Sequence, residues 1–353
     1  MRSAVIRQIG SGCIIGGNQG KKTQQAKVKL NPEMTYSDIW IRMPNWLGDF
    51  VMTLPHLRAI KKTHPHARLT LLAEPQFKAL AGAFSVADEF ISLPKNTITR
   101  LLKLFEISKK SNPETQLLFT NSIRGDIEAR ILGASNRLGI AYPGKFRPLL
   151  TDIYRLDSQK ENLGKTHQVL LWEKCLKSFH LINKLDNQPF TIKPSKKIKN
   201  RIGIIPGSSN NPIKCWPTDN WCKLISDLTK WSNKIECCIY GTPNDAMTSM
   251  AISDNQNITV MDMTGKTNLI QLIDELNKCS LVIGNDTGAM HLANAIGTPT
   301  ATFFGPTNPL VTRPFLKAPK IIIQPENCPP EGGTSIHNIS VSEAITKIKD
   351  LLR

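Results

Sequence analysis

The chain has 353 residues, of which 40% are hydrophobic and 21% charged, and its 45 Lys and Arg residues outnumber the 28 Asp and Glu residues. This length favours two domains of ordinary size, and the composition is that of a globular protein without an apolar run of the roughly 18 residues that cross a bilayer. The net charge of +17 favours polyanionic partners, namely nucleic acid, phosphorylated small molecules or an anionic membrane surface, unless the proteome as a whole is basic.

The first 32 residues contain six basic residues and no acidic one, and they are rich in Gly, Ser, Gln and Asn. The pair Ile14-Ile15 is too short to be the apolar core of a signal peptide. The pattern predicts a disordered basic tail over residues 1–34. Such a tail would be attracted to an anionic membrane, unless Met34 is the true start of translation.

The first half alternates short apolar strands with helical patterns. The first strand runs into a segment in which Met52, Leu54, Leu57 and Ile60 recur at helical spacing. Strands that alternate with helices are typical of a parallel sheet with right-handed crossovers. The predicted strands of this half lie at residues 39–41, 68–73 and 116–119.

The second half repeats the alternation more clearly. The polar, basic stretch 193–200 is the best linker candidate, which predicts one domain over residues 35–190 and another over 191–335. Within residues 336–353, Ser340-x-x-Glu343 is typical of a capping box that opens a last helix. The predicted strands lie at residues 201–206, 235–240, 258–261, 281–283 and 300–304, and the predicted helices at 245–252, 267–279 and 288–296, with a further helix capped by Thr218.

Polar and glycine-rich clusters follow four of these strands. Because the carboxyl ends of parallel strands meet at one edge, where α/β sheets bind ligands, the clusters predict a common ligand crevice. They are Gly207-Ser208-Ser209, Gly241-Thr242-Pro243-Asn244-Asp245, Asp286-Thr287-Gly288 and Gly305-Pro306-Thr307.

The third cluster contains an Asp-Thr-Gly tripeptide, which also occurs in aspartic proteases. Those enzymes need two such carboxylates, and the chain has no second Asp-Thr-Gly or Asp-Ser-Gly. A helix that opens at Gly288 favours an anion at its N-terminus, so Thr287 and Gly288 are predicted to hold a diphosphate, unless the helix is simply well capped. Asp286 then caps the helix or orients a ligand group, and His291 is either structural or a ligand contact.

Three charged loop residues each have two interpretations. Lys214 precedes a helix and suits phosphate charge, including charge that develops on a leaving group, or it is merely solvated. Asp245 either bonds a ribose or caps a helix. Asp49, directly after Gly48, is either a general base that faces the other domain's ligand or an acid favoured by the helix dipole.

The eight cysteines form no CxxC pair. They are interpreted as reduced thiols of a cytoplasmic protein rather than as a disulfide frame or a zinc site. The sequence also lacks an Asp-x-Asp motif that would hold a metal.

Three blocks, in order and spacing over about residues 38 to 310, give the chain a resemblance to a known family. It resembles the ADP-heptose:lipopolysaccharide heptosyltransferases of glycosyltransferase family 9, and its Pro-x-Trp-x-Gly-Asp form is most like the heptosyltransferase II subgroup. The blocks are Ile41 to Asp49, Pro206-Gly207-Ser208 through Lys214-Cys215-Trp216-Pro217, and Asn285 to His291 with Gly305-Pro306-Thr307.

The resemblance implies a GT-B fold, in which two Rossmann-like α/β domains face each other across a cleft. The N-terminal domain would bind the lipid acceptor, the C-terminal domain the nucleotide sugar, and the last helix would cross back to pack on the N-terminal domain. The implied reaction is an inverting, metal-independent transfer of heptose from ADP-L-glycero-D-manno-heptose to heptosyl-Kdo-lipid A. The implied partners are this donor, the inner-core lipid acceptor and an anionic membrane, without nucleic acid or a cofactor.

The resemblance also implies residue roles. Asp49 matches the proposed base and Lys214 the phosphate-binding lysine, both of them catalytic. Asn45, Trp46 and Gly48 would lie on the acceptor side. The implied donor-site residues are Ser208, Ser209, Lys214, Asp245, Asp286, Thr287, Gly288 and His291.

The implied location is cytoplasmic, peripheral at the inner face of the inner membrane. Two alternatives are open: another family 9 transferase with a different donor or acceptor, and a nucleotide-sugar epimerase on the same fold, which would need no lipid.

Overall fold

A computed structural model describes residues 36–192, 196–208, 211–255 and 258–352. The tail predicted over residues 1–34 and Ser209 lie outside these residues. In the described part of the chain, no helix combines the length and apolar character needed to span a bilayer.

The first half forms a six-stranded parallel sheet with the strand order β3-β2-β1-β4-β5-β6. Its strands are β1 (Asp38–Arg42), β2 (Arg68–Ala73), β3 (Glu89–Ser92), β4 (Thr115–Leu118), β5 (Asn136–Ala141) and β6 (Asp152–Arg155). Its helices are α1 (Leu47–Thr63), α2 (Lys78–Phe84), α3 (Thr97–Ser108), α4 (Ile123–Leu132) and α5 (Gln168–Ser178).

The second half forms another six-stranded parallel sheet, with the order β12-β11-β10-β7-β8-β9. Its strands are β7 (Arg201–Ile205), β8 (Glu236–Ile239), β9 (Val260–Asp262), β10 (Leu281–Asn285), β11 (Thr300–Phe303) and β12 (Lys320–Ile323). Its helices are α6 (Thr218–Trp231), α7 (Ala246–Ser253), α8 (Leu269–Lys278), α9 (Gly288–Ala295), α10 (Pro309–Thr312) and α11 (Val341–Leu352).

Burial explains why the sequence predicted most of the central strands. Central strands such as β10 are buried along their whole length, so they consist of near-continuous apolar residues, as is typical of parallel sheets covered on both faces. The edge strands β3 and β6 are half-exposed and carry charged residues, and neither was predicted. The strands β5 and β12 were also not predicted.

The two halves meet through their helices. Helix α1 packs on α9, and α2 packs on α8. A Cβ atom added at Gly288 would lie 2.8 Å from the backbone nitrogen of Gly48, so the two glycines let the first turns of α1 and α9 approach closely. One hydrophobic cluster contains residues of both halves, including Phe50 and Leu54 from α1 and Met290 from α9.

The last helix departs from the expectation. Its apolar residues Ala344, Ile345 and Ile348 are buried in the same cluster as Trp221 and Leu224 of α6. Helix α11 packs on α6 and β12, so the expectation that it crosses back to the first half is wrong. The chain joins the halves earlier instead, where the backbone nitrogen of Phe190 donates to the Ala295 carbonyl at 2.7 Å.

The predicted cap of α6 was also wrong. The residue in the cap position is Pro217, and Thr218 is the first residue of the helix. Proline fixes an extended entry into the helix without supplying a side-chain acceptor. The capping hydroxyl predicted for α11 is present, since the Glu343 backbone nitrogen donates to Ser340 Oγ at 3.2 Å.

Candidate active site

The crevice between the halves lies at the carboxyl ends of both sheets. In each sheet the strand order reverses beside a central strand, between β1 and β4 in the first and between β7 and β10 in the second. Such switch points leave a gap between helices on opposite faces, where α/β proteins bind ligands. The segments that follow β1, β7 and β10 carry Asp49, Lys214 and Asp286, respectively, with Asp49 already in the first turn of α1.

Asp49 lies in the first turn of α1. It is half-buried and lines the crevice. Its surroundings raise the pKa of Asp49 to about 6, chiefly through burial, while the charge of Lys214 opposes the increase and the charge of Asp286 adds to it. The adjacent Gly48 meets Gly288 and His291 of α9, so Asp49, from the first half, lies at the junction with the second half, whose charged pair influences its pKa.

That charged pair is a closely bonded unit. Lys214 Nζ lies 2.7 Å from Asp286 Oδ2, with 23% of the Lys214 side chain and 8% of the Asp286 side chain exposed. Thr307 Oγ1, after β11, donates to the same carboxylate oxygen at 2.9 Å. Asp286 therefore orients a lysine rather than capping α9, because the residue in the cap position is Thr287.

Two helix N-termini point into the crevice. Neither Trp46, which precedes α1, nor Thr287, which precedes α9, makes a side-chain hydrogen bond that caps its helix. Backbone N–H groups at such ends, together with the helix dipole, favour negative charge. Gly288 begins α9 at the point where it meets Gly48 of α1, so both positive ends lie close together.

His291 lies one turn into α9 and is buried. A Cβ atom added at Gly48 would lie 3.3 Å from its Cδ2, so the imidazole packs against the start of α1. Burial lowers the pKa of His291 to about 4. The ring is therefore neutral at physiological pH and offers a hydrogen-bonding nitrogen rather than a positive charge.

Asp245 occupies a second arm of the crevice, after β8. Its Oδ2 accepts hydrogen bonds from the backbone nitrogen of Thr242 at 2.8 Å and from its hydroxyl at 2.7 Å. Its Oδ1 faces Gly207, where an added Cβ would lie only 2.1 Å away. Asp245 therefore caps the short helical turn that begins after Thr242. Because it also lies near the half-buried Ser208, it remains a candidate for contact with a ligand.

Of the residues predicted for the acceptor side, Asn45 and Trp46 lie in the loop between β1 and α1, and Gly48 lies in the first turn of α1. Arg42 is buried and donates from Nε to Glu128 at 2.7 Å, and its Nη2 donates to Asn45 Oδ1 at 3.1 Å. This buried ion pair holds Asn45 in place. Trp46, by contrast, is 61% exposed.

The sequence assigned no role to several residues of the crevice. Asn285 is buried, donates to the Pro206 carbonyl at 2.6 Å and accepts from the Trp216 backbone nitrogen at 3.2 Å, which ties the end of β10 to the loop after β7. Tyr142 follows β5, and its pKa is raised to about 12 by burial and, to a smaller extent, by Asp49. The polar clusters after β10 and β11 were the available signals for Asn285 and Thr307.

The described part of the chain contains no group of three or more His, Cys, Asp or Glu side chains arranged to hold a metal ion. Lys214 and the two helix ends supply positive charge in the crevice.

Known proteins are similar to this chain in sequence and in fold. The lipooligosaccharide heptosyltransferase 2 of Haemophilus influenzae is 24% identical over an alignment of 356 positions that covers 89% of this chain and 99% of the relative. The structure of E. coli ADP-heptose lps heptosyltransferase II superposes with a TM-score of 0.74 at 20% identity, covering 89% of this chain and 98% of that one. This likeness confirms the GT-B fold with two Rossmann-like domains.

A more distant structure shares the fold as well. The dodecameric glycosyltransferase TibC of enterotoxigenic E. coli, which is described as iron-containing, superposes with a TM-score of 0.53 at 15% identity. It covers 90% of this chain and 80% of its own.

The family model for glycosyltransferase family 9 (heptosyltransferase) matches residues 146–337, which is more than half of the 353-residue chain. The match includes Lys214, Asp245, Asp286 and His291 of the crevice. It confirms the resemblance drawn from the three sequence blocks: the chain is an enzyme that belongs to glycosyltransferase family 9.

Proposed function

We propose that this enzyme transfers a heptose from ADP-L-glycero-D-manno-heptose to the inner core of lipopolysaccharide, with heptosyl-Kdo-lipid A as acceptor. The observation that carries the proposal is the meeting of Asp49, Lys214 and two helix N-termini in one crevice. The similarity to heptosyltransferases 2, such as the Haemophilus influenzae protein, supports the choice of donor and acceptor. Residues 35–190 form the acceptor-binding unit and residues 191–335 the donor-binding unit.

Asp49 is the general base of this reaction. With a pKa of about 6, the carboxylate is ionised in a ratio of about ten to one at pH 7 and still has useful basicity. It takes the proton of the acceptor hydroxyl as the acceptor oxygen forms its bond to the anomeric carbon. The bond from that carbon to the ADP oxygen breaks on the opposite side, so the configuration inverts.

Lys214 and the N-terminus of α9 stabilise the leaving diphosphate. The electron pair of the broken bond ends on ADP, whose added negative charge meets the Lys214 ammonium and the N–H groups at Thr287 and Gly288. Asp286 holds Lys214 at 2.7 Å, which orients the ammonium before the donor binds.

The remaining site residues bind and position the substrates. Ser208 and Asp245 line the part of the crevice that takes the nucleoside, with Asp245 next to the ribose, and the neutral His291 contacts the donor. Ser209 is assigned to donor binding by the family resemblance. On the other side, Asn45, Trp46 and Gly48 shape the acceptor site.

We propose that transfer needs no metal, because Lys214 and the helix N-termini already supply the positive charge that a cation would provide. Transfer should therefore proceed at an unchanged rate after dialysis against EDTA. Because TibC is described as iron-containing, Fe²⁺ is one of the metals to add back after chelation. Loss of activity on chelation, followed by recovery with Fe²⁺ or Mg²⁺, would contradict the proposal.

The proposed location is the cytoplasmic face of the inner membrane, where a lipid-linked acceptor and an intracellular nucleotide sugar can meet. The enzyme binds this surface peripherally, and the charge excess of the chain supports the attraction to anionic lipid. Nucleic acid is not a proposed partner.

The decisive experiment incubates the purified enzyme with ADP-heptose in the presence and absence of truncated lipopolysaccharide, and follows ADP release together with the mass of the lipid. We expect ADP release and a mass gain of one heptose only with acceptor present. Free sugar formed without lipid would indicate an epimerase instead. Transfer from a different nucleotide sugar, or to a different lipid only, would indicate another family 9 specificity.

A further inference from the structure

Helices α3 and α4 cover the face of the first sheet that is turned away from the second half. Helices α1 and α2, on the other face, pack on α9 and α8. By contrast, α3 and α4 pack on each other, and their buried residues Leu104 and Leu132 join a small cluster that contains only residues of the first half. The outer surfaces of α3 and α4 are thus not covered by the second half.

Those outer surfaces are apolar. On α3, Ile98, Leu102 and Phe105 follow each other at helical spacing and are 70%, 60% and 55% exposed, respectively. On the adjacent α4, Ile123 and Ile127 are 59% and 40% exposed. We call these five residues the α3/α4 face. Single exposed apolar residues are ordinary, but a group on two neighbouring helices marks a surface that binds a partner or a membrane.

Around the α3/α4 face, two acidic side chains are buried, and most of the charged side chains at the surface are basic. The acidic side chains Asp126 and Glu128 of α4 are buried and paired with Arg147 and Arg42. The side chains that reach the surface over residues 95–132 are therefore mainly basic, six against the acidic Glu106 and Glu114. The basic ones are Lys95, Lys103, Lys109, Lys110, Arg124 and Arg130.

This combination of charge and apolar surface decides which partner fits. Lysine stems and aromatic rings together suit the boundary between headgroups and acyl chains, and Lys109 Nζ lies 4.6 Å from the centre of the exposed Phe105 ring. Basic residues add attraction to anionic lipid, whereas a polyanion in water would gain nothing from the apolar side chains. The complementary partner is an anionic lipid bilayer.

The position of the face relative to the crevice agrees with this partner. Helices α3 and α4 begin just after the carboxyl ends of β3 and β4, at the same edge of the sheet as Asp49. Trp46, after β1, and Phe146, after β5, lie at this edge and are 61% and 77% exposed. A lipid-anchored substrate would therefore approach along the edge that carries Asp49.

We propose that the α3/α4 face docks the enzyme on an anionic lipid bilayer, with the carboxyl edge of the first sheet directed towards the lipid-bound acceptor. The identity of that acceptor rests on the proposed function, but the docking itself does not.

The test measures binding of the full chain to vesicles without any donor. The test variant carries Leu102→Glu and Phe105→Glu. The matched control carries Met247→Glu and Met250→Glu on α7, where two methionines at the same spacing are 82% and 54% exposed. Vesicles contain phosphatidylglycerol and phosphatidylethanolamine, or phosphatidylcholine alone, and the basic residues before Glu33 are present in every variant.

We expect wild type and the control to bind the anionic vesicles alike and the test variant to bind about tenfold more weakly or worse, since two apolar anchors become charged. Lys103→Gln with Lys109→Gln should weaken binding by roughly fivefold per removed charge and reduce its salt dependence. If Leu102→Glu with Phe105→Glu lowers the thermal midpoint, the milder pair Ile98→Ser with Ile127→Ser replaces it.

Equal binding of wild type and test variants would overturn the proposal. A change in oligomeric state by light scattering, with unchanged vesicle binding, would instead assign the face to contact between copies of the chain. Wild type that docks through this face yet transfers no heptose would refute the proposed function and leave the docking intact.

Discussion

The two sheets have the same strand order, but their carboxyl edges are organised differently. In the second half, polar groups at that edge bond to each other, as when Lys214 and Thr307 share one oxygen of Asp286. In the first half, the described residues offer Asp49 no hydrogen-bond or ion-pair partner, and the neighbouring Trp46 is largely exposed.

The difference indicates a division of tasks. A donor site benefits from preorganised charge, because the diphosphate is bound before the reaction and gains charge during it. A general base, by contrast, must keep its lone pairs for a proton of the incoming substrate. The same topology therefore supports two kinds of carboxyl edge. We call the edge with Lys214, Asp286 and Thr307 the bonded edge, and the edge with Asp49 and Trp46 the open edge. Substitutions in the two edges should have different effects.

The largest effect should follow from Asp49→Asn in the open edge. It removes the proposed base without changing the size of the side chain, so the transfer rate should fall by about 10² to 10⁴. The affinity for ADP, measured by calorimetry, should stay within about twofold, because in the proposed mechanism the second half holds the diphosphate.

The matched control is Asp219→Asn, which removes an acid from the first turn of α6. If Asp49 merely complements a helix dipole, both variants should lose a few tenths of a kcal/mol of stability and neither should lose much activity. Near-normal turnover of Asp49→Asn would therefore show that Asp49 is not the general base.

In the bonded edge, Lys214→Ala should weaken ADP binding and slow transfer together, each by about tenfold to a hundredfold. The substitution removes a positive charge and leaves the buried Asp286 carboxylate unpaired beside the diphosphate. Lys223→Ala on the exposed side of α6 is the control and should behave as wild type. Unchanged affinity and rate in Lys214→Ala would make the pair with Asp286 merely structural.

The pH dependence tests the environment of Asp49. With a pKa of about 6, the ionised fraction falls about tenfold between pH 7 and pH 5, and kcat/KM should fall with it. Because Lys214 opposes the raised pKa, Lys214→Ala should move the inflection to higher pH. Circular dichroism should confirm that this variant remains folded. If its inflection then stays at the wild-type pH, Lys214 does not influence the pKa of Asp49.

The same shift has a consequence for stability. Because folding raises the pKa of Asp49 from 3.8 to about 6, the free energy of unfolding that it contributes falls as the pH rises from about 4 to about 6. Asp49→Asn removes this loss, so its thermal midpoint should exceed that of wild type at pH 8 by the equivalent of about 1 to 2 kcal/mol, after allowance for solvent screening. At pH 4 the two midpoints should agree.

Much of the fold could be predicted from local patterns. Central strands such as β7 and β10 are buried on both faces and therefore read as apolar runs that end in polar clusters. The two edge strands of the first sheet have no such signal: β3 has the sequence Glu-Phe-Ile-Ser and β6 has Asp-Ile-Tyr-Arg. The packing of α11 was also beyond local patterns, because its apolar face fits either half and only the tertiary contacts with α6 decide.

The sequence predicted individual residues of the site but not which of them contact each other. Lys214 and Asp286 are 72 positions apart in the chain, and the contact between Gly48 and Gly288 joins different halves. Spacing along the sequence gives no information on such contacts, since they depend on how two sheets and their helices pack. The loop clusters therefore predicted a crevice, and the structure supplied the partners within it.

The smallest expected effect concerns Thr307, which the sequence placed in a polar cluster but to which it assigned no role. Thr307→Val keeps the shape of the side chain but removes the hydroxyl that donates to Asp286 Oδ2 at 2.9 Å. A hydrogen bond to a charged group contributes about 1.5 to 3 kcal/mol, but Lys214 still holds the carboxylate, so the loss of ADP affinity should be only about threefold to tenfold. Thr346→Val, which removes a surface hydrogen bond to the Ser342 carbonyl in α11, controls for the substitution itself. If Thr307→Val binds ADP as wild type does, the bonded edge consists of the Lys214–Asp286 pair alone. If it matches Lys214→Ala, the orientation of Asp286 is as important as the charge of the lysine.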